Sequence, residues 1–176
     1  MPTAKLPYLS VAPGEQTSGI ACAVDVKLEG PDPRTAAIAE VAIVRFAYQR
    51  NTGKILGILE EYLGGKSSVF GLDHRSVDYM LLRSELIFAH GSAGIRPVLM
   101  RISETAGQRP WRCTQNSIDW AAMGYGGRSL DDLMAAHYME YPEGPPGLER
   151  VHGLLALLSR TDERGRRYLL QLVSGV

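Results

Sequence analysis

The stretch Gly19-Ile20-Ala21-Cys22-Ala23-Val24-Asp25-Val26-Lys27-Leu28-Glu29-Gly30 constrains this chain more than any other. From Ile20 to Val26 every residue except Asp25 is apolar or small, the composition of a central strand covered on both faces. An ionisable group at the exit of such a strand needs a reason. Side chains alternate along a strand, so Asp25 and Lys27 share a face, about 7 Å apart and within reach of each other. The carboxylate reads either as a metal or catalytic ligand at a strand end or as half of a local ion pair, and Lys27 favours the ion pair.

The 176 residues fit one domain large enough to bury a real core. Nineteen basic and nineteen acidic residues cancel, so no long-range field advertises a nucleic-acid or membrane partner, and a basic patch has to be found residue by residue. Cys22 and Cys113 sit in apolar, strand-like runs and read as reduced core thiols. Residues 1–18, with Pro2, Pro7, Pro13 and Gly14, read as a flexible arm without an apolar run of signal-peptide length. No later segment approaches a membrane span, so the expected location is cytoplasmic.

Gly30-Pro31-Asp32-Pro33 is a turn by composition, after which Ala37–Tyr48 forms a long β-branched strand and Gln49–Gly53 a hairpin loop to a partner strand over Lys54–Leu63. Short connections make these three strands an antiparallel meander. The spacing of Val69, Leu72, Val77, Met80 and Leu81 predicts a helix, and Leu86–His90 is a short apolar run typical of a buried parallel strand. Ser92 is expected to cap a helix carrying Val98, Leu99 and Ile102. Pro110–Thr114 reads as a strand and Gln115–Met123 as a short helix. Ser129 caps another helix, with Asp131 and Asp132 in its first turn. Tyr141–Gly147 is a proline-rich loop, a helix runs from about Leu148 to Ser159, and Tyr168–Val173 is apolar with its conformation undecided.

This order predicts an α/β fold: a five-stranded mixed sheet, three strands antiparallel and two parallel, flanked by helices. The domain is assigned to residues 19–160, with 161–176 as a tail packing on it.

Several short motifs carry a resemblance. Ala23-Val24-Asp25-Val26, Gly30-Pro31-Asp32-Pro33, Ile38-Ala39-Glu40-Val41-Ala42, Phe88-Ala89-His90, Arg96-Pro97, Trp111-Arg112-Cys113-Thr114 and Ser129-Leu130 fall in the order seen in DEDDh-type 3′–5′ exonucleases. Over residues 19–160 the chain resembles a proofreading-exonuclease domain with an RNase H-like fold. The resemblance implies two-metal hydrolysis, in which four carboxylates hold two Mg²⁺ or Mn²⁺ ions and a histidine activates water. The first carboxylate matches Asp25. The second falls on Lys27, the third on Ile95, and the histidine and fourth carboxylate on Leu148 and Gly153. One of five positions keeps its chemistry, and an acid beside a lysine supplies no net negative charge for paired cations. Glu29, Glu149 and His152 lie near the vacated positions, but a one-residue slip on a helix turns a side chain by about 100° away.

Of the remaining signals, His90 reads as a structural histidine at a strand end, and His74, His137 and His152 as surface residues without metal-ligand spacing. Ser92 lacks a nucleophile elbow, and neither glycine pair is followed by Gly-Lys-Ser/Thr. Arg96, Arg101, Arg109 and Arg112, and separately Arg160, Arg164, Arg166 and Arg167, suit either phosphate contact or a solvated ion-pair surface. Trp111, Trp120 and Tyr125 read as packing residues in preference to base-stacking ones. The expectation is therefore a catalytically inactive exonuclease-like module that binds a protein partner or a second copy and needs no cofactor. Two alternatives stand beside it: a nucleic-acid binder using Lys27 and Arg96 on phosphate, and a Mg²⁺- or Mn²⁺-dependent exonuclease with displaced ligands.

Overall fold

The structure is a computed structural model and describes residues 18–66 and 68–174, so the arm expected over 1–18 lies, apart from Ser18, outside the described residues. Eleven elements follow in order: β1 (Ser18–Leu28), β2 (Ile38–Gln49), β3 (Ile55–Gly65), α1 (His74–Leu82), β4 (Leu86–Ala89), α2 (Ser92–Met100), α3 (Thr105–Gln108), β5 (Trp111–Cys113), α4 (Leu130–Ala136), α5 (Pro146–Leu158) and α6 (Tyr168–Val173).

The sheet has the order β3-β2-β1-β4-β5. Connections too short for a crossover join the first three strands and make them antiparallel; the β2–β3 hairpin closes with Gln49 N–H on the Lys54 carbonyl at 2.8 Å. β4 runs parallel to β1, and β5 parallel to β4, because α1 and then α2 and α3 return the chain across the sheet. The expected five-stranded mixed sheet, three strands antiparallel and two parallel, is the observed one. No described helix is long and apolar enough to cross a membrane.

Alternation along the strands divides the core. Ala21, Ala23, Ala42, Val44, Phe46 and Phe88 face α4, α5 and α6, whereas Cys22, Val24, Val41, Ile43 and Ile87 face α1 and α2. α5 buries Val151, Leu154, Leu155, Leu157 and Leu158 on the first face, each contributing about 2 kcal/mol relative to exposure. α6 resolves the undecided apolar tail: it is helical, and it lays Tyr168, Leu169 and Leu172 in the same layer.

Several local expectations are corrected. α1 begins at His74, because the Asp73 carboxylate caps it, accepting from Arg75 N–H at 3.1 Å and the Ser76 hydroxyl at 2.6 Å; Val69 lies before it in a loop, 97% exposed. Ser92 is not a cap. Gly91 holds that position at φ 83°, a conformation that favours glycine, and no side chain caps α2. Gln115–Met123 is a run of turns, since the Asp119 carboxylate takes the Ala122 N–H at 3.0 Å and the indole of Trp120 holds the Thr114 carbonyl at 2.9 Å. α5 starts two residues earlier than expected, on Pro146, whose missing N–H costs nothing in a first turn. Ser129 does cap α4, accepting from Asp132 N–H at 3.1 Å.

Candidate functional site

Asp25 stands near the C-terminal end of β1, on the face covered by α5, with Ala42 opposite it on β2. α5 approaches closely here because Gly147 has no side chain: a Cβ there would overlap the Glu40 carboxylate and lie 3.1 Å from the Ala42 methyl. One turn into that helix, Arg150 reaches back over the strand end. Its Nε lies 3.7 Å from Asp25 Oδ2 and its Nη1 3.2 Å from Asp131 Oδ1 in α4, and its guanidinium carbon lies 5.8 Å from the centre of the Tyr141 ring. The Tyr141 hydroxyl donates to the same Asp131 carboxylate at 2.6 Å. The sequence expectation of a local Asp25–Lys27 pair is thus corrected: the ion-pair partner of Asp25 comes from α5, and Lys27 is exposed.

Burial raises the Asp25 carboxyl above its ordinary range, and the nearby Glu40 adds to the rise, while Arg150 and the Val26 N–H pull it back down. Asp131 is held low, first by the Tyr141 hydroxyl and then by Arg150. His90 sits at the end of β4 with Nε2 donating to the Arg128 carbonyl at 2.7 Å and Nδ1 2.9 Å from the Thr114 hydroxyl. Burial lowers the pKa of the ring, with Arg150 adding to the fall, while the hydrogen bond to the Arg128 carbonyl pulls it back up.

The positions implied by the resemblance do not converge on a metal site. Ile95 packs in the layer under α1 and α2, and Leu148 in the layer under α5. Gly153 is buried, and a Cβ on it would come 2.5 Å from the Tyr141 ring. The near neighbours are engaged elsewhere: Glu29 pairs with Lys66, Glu149 accepts from Gly144 N–H at 3.1 Å, and His152 Nε2 lies 2.6 Å from Glu61. Among the described residues no three His, Cys, Asp or Glu side chains are placed to hold one metal ion. With one acid of the implied set present and a guanidinium already on it, the donors do not fit a pair of divalent cations.

One acidic residue of this region was missed by the sequence reading. Glu40 is 5% exposed, sits opposite Lys27 on the neighbouring strand, and its carboxylate has no ion-pair partner among the described residues. Its signal was available in the register of the β1–β2 hairpin, which places position 40 beside position 27. Arg150 was missed as well, because a lone arginine one turn inside a helix looks like any solvated surface residue.

The first of the two basic groups is tied to the fold. Arg96 donates to the Gly107 carbonyl at 3.1 Å, Arg101 to Ala36 at 2.7 Å, Arg109 to Leu82 at 2.6 Å and Arg112 to Leu172 at 3.0 Å. The fully buried Trp120 packs edge-on against Tyr168 at 4.9 Å between centroids. His137 is not a free surface residue: it stacks on Tyr125 at 4.7 Å and meets the Tyr168 hydroxyl at 2.9 Å. The two thiols differ. Burial pushes Cys22 up to about 12. Burial acts the same way on the half-buried Cys113, but the Ser92 hydroxyl and neighbouring N–H groups outweigh it and lower its pKa.

The sheet order and the helical layers give an RNase H-like fold, the arrangement seen in solved exonuclease domains. Among solved structures, exonuclease I is similar at a TM-score of 0.60 and 10% identity over 80% of this chain and 40% of that one. E. coli exonuclease I in complex with a dT13 oligonucleotide gives 0.59 and 10% identity over 78% of this chain and 40% of that one. The nuclease domain of 3′hExo, a DEDDh family member, bound to rAMP gives 0.51 and 15% identity over 78% of this chain and 88% of that one. At these identities the likeness is one of fold, and the chain spans about 40% of the length of exonuclease I. No family model matches the chain, and no curated protein does.

Proposed function

We propose that this chain is a catalytically inactive exonuclease-like module that works by binding, through a protein partner or a second copy of itself. The observation that carries the reading is the seat of Arg150, 3.7 Å from Asp25 and 3.2 Å from Asp131. A fixed guanidinium there supplies in one side chain the positive charge that a hydrolytic site of this fold takes from metal ions, and it does so without a Lewis acid or an activated water. Lys27, Ile95, Leu148 and Gly153 at the other implied positions support the same reading.

The testing experiment is digestion of labelled single-stranded DNA and RNA with Mg²⁺ or Mn²⁺, wild type beside Asp25→Ala. No shortening of either substrate is expected. Shortening that disappears in Asp25→Ala would establish a nuclease at this site, with Glu40 as the first candidate for a displaced ligand.

A second reading has its own observation. Lys27 is exposed at the strand end and has no ion-pair partner among the described residues, and solved structures of exonuclease I hold oligonucleotides on the same fold. On that reading Lys27 and Arg96 contact phosphate without cleaving. Oligonucleotide binding would then weaken with salt and again on Lys27→Glu; its absence at low salt removes the reading.

A further inference from the structure

Among the described residues, the lengths of strand and helix leave one end of the sheet uncovered. α1 has 9 residues, about 13 Å at its rise per residue. β1 and β2 have 11 and 12 residues, about 35 Å of extended chain. The helix buries Val77 and Leu81 over the middle of the sheet and stops at Leu82. Beyond its end, Ile20 of β1, its register partner Ala47 of β2, and Leu59 of β3 form with Leu82 the floor of a groove of about 560 Å³. Ile20, Leu59 and Leu82 are 39%, 46% and 53% exposed, so the floor is open and aliphatic.

The rim is charged with one sign in excess. Arg50, Arg83 and Arg109 line it, and Glu85 is its one carboxylate among the described residues. Glu85 is already taken, held by Arg50 and by the Tyr48 hydroxyl at 2.5 Å each. Arg83 donates to the Tyr79 hydroxyl at 2.7 Å and Arg109 to the Leu82 carbonyl at 2.6 Å, and neither meets a carboxylate among the described residues.

We propose that this groove docks a short acidic segment of a protein partner, with a large apolar side chain on the floor and carboxylates on Arg83 and Arg109. Charge complementarity selects an acidic occupant. The floor selects a peptide over an oligonucleotide, since no aromatic ring among the described residues lines it for bases to stack on. Two register shifts in β3 blunt that edge against strand addition, so the occupant is recognised by its side chains. The groove is separate from the Asp25 end: Ile20 and Asp25 lie on opposite faces of β1, about 17 Å apart along the strand. It therefore holds whether or not the Asp25 end hydrolyses anything.

The test is fluorescence anisotropy of the full chain with a labelled peptide of about eight residues alternating Asp with Leu and Phe. Comparison probes are the same peptide with Lys for Asp and a labelled oligothymidylate of equal charge. The acidic peptide is expected to bind and to weaken with salt, by roughly tenfold on Arg83→Glu and similarly on Leu82→Asp. Both positions are exposed, and an unchanged thermal midpoint verifies that the variants fold. No binding at low salt overturns the proposal, as does equal binding of either comparison probe, undiminished binding by both folded variants, or a dimer that Leu82→Asp dissolves.

Discussion

Replacing Arg150 by methionine tests the electrostatics of the Asp25 end, because methionine keeps the apolar stem and removes the charge. Three contacts are lost. The Asp131 carboxylate is 69% exposed, so that pair is worth at most about 0.5 kcal/mol. The Asp25 carboxylate is 27% exposed at 3.7 Å; with the guanidinium itself 41% exposed, solvent screening reduces that pair to about 1 kcal/mol. The Tyr141 ring face adds about 0.5 kcal/mol. The sum, about 2 kcal/mol at neutral pH, lowers the thermal midpoint by roughly 4–8 °C for a domain of this size. The pH dependence gives the sharper signature. The folded-state pKa of Asp25 is raised above its ordinary 3.8, so the folded chain binds more proton than the unfolded one and stability falls as pH climbs from there through the folded value. Arg150 opposes that fall, so the gap between wild type and Arg150→Met widens as pH rises and narrows in acid, where Asp25 is neutral. Asp25→Asn in the same background removes about half the cost. Thermal melts of the four proteins of this double-mutant cycle, across that pH range, carry the test. A gap independent of pH, or two substitutions whose effects simply add, would refute the reasoning.

Gly147→Ala puts a methyl into the Glu40 carboxylate and against Ala42, and is expected to destabilise by about 1–3 kcal/mol in denaturant unfolding. Arg45 is 4% exposed, pairs with Glu60, and leaves its Nε without a partner; Arg45→Met is expected to be neutral or stabilising, while Glu60→Gln, which leaves the guanidinium buried and unpaired, costs about 1–2 kcal/mol in the same assay. His90 has a folded pKa below its ordinary 6.5, so its contribution is intact above that pH and is lost as pH falls beneath it; the denaturation midpoint of wild type should drop in that window and that of His90→Gln should drop less.

The sheet was legible because strands buried on both faces leave continuous apolar runs, and Ile20–Val26 and Leu86–Ala89 are such runs. Helix ends were less so: Asp73 and Gly91 set two of them through cap geometry that apolar spacing does not encode. Gln115–Met123, expected as a helix, closes in turns because the Asp119 carboxylate and the Trp120 indole take backbone groups that a helix would pair, contacts that composition does not encode. At the site, position 25 was found from its own strand. Its partners were not, since Arg150, Asp131 and Tyr141 arrive from three later segments, and long-range pairing leaves no local pattern. Glu40 was nearer to hand, one strand register away from Lys27.

On the function proposed above, the Arg150 guanidinium at Asp25 stands where metal ions would otherwise bind. Electron paramagnetic resonance of free Mn²⁺ titrated against wild type and Asp25→Ala tests it most directly, since bound Mn²⁺ loses its free-ion signal. The account predicts superimposable titrations with no saturable uptake; saturable uptake by wild type that Asp25→Ala abolishes would contradict it.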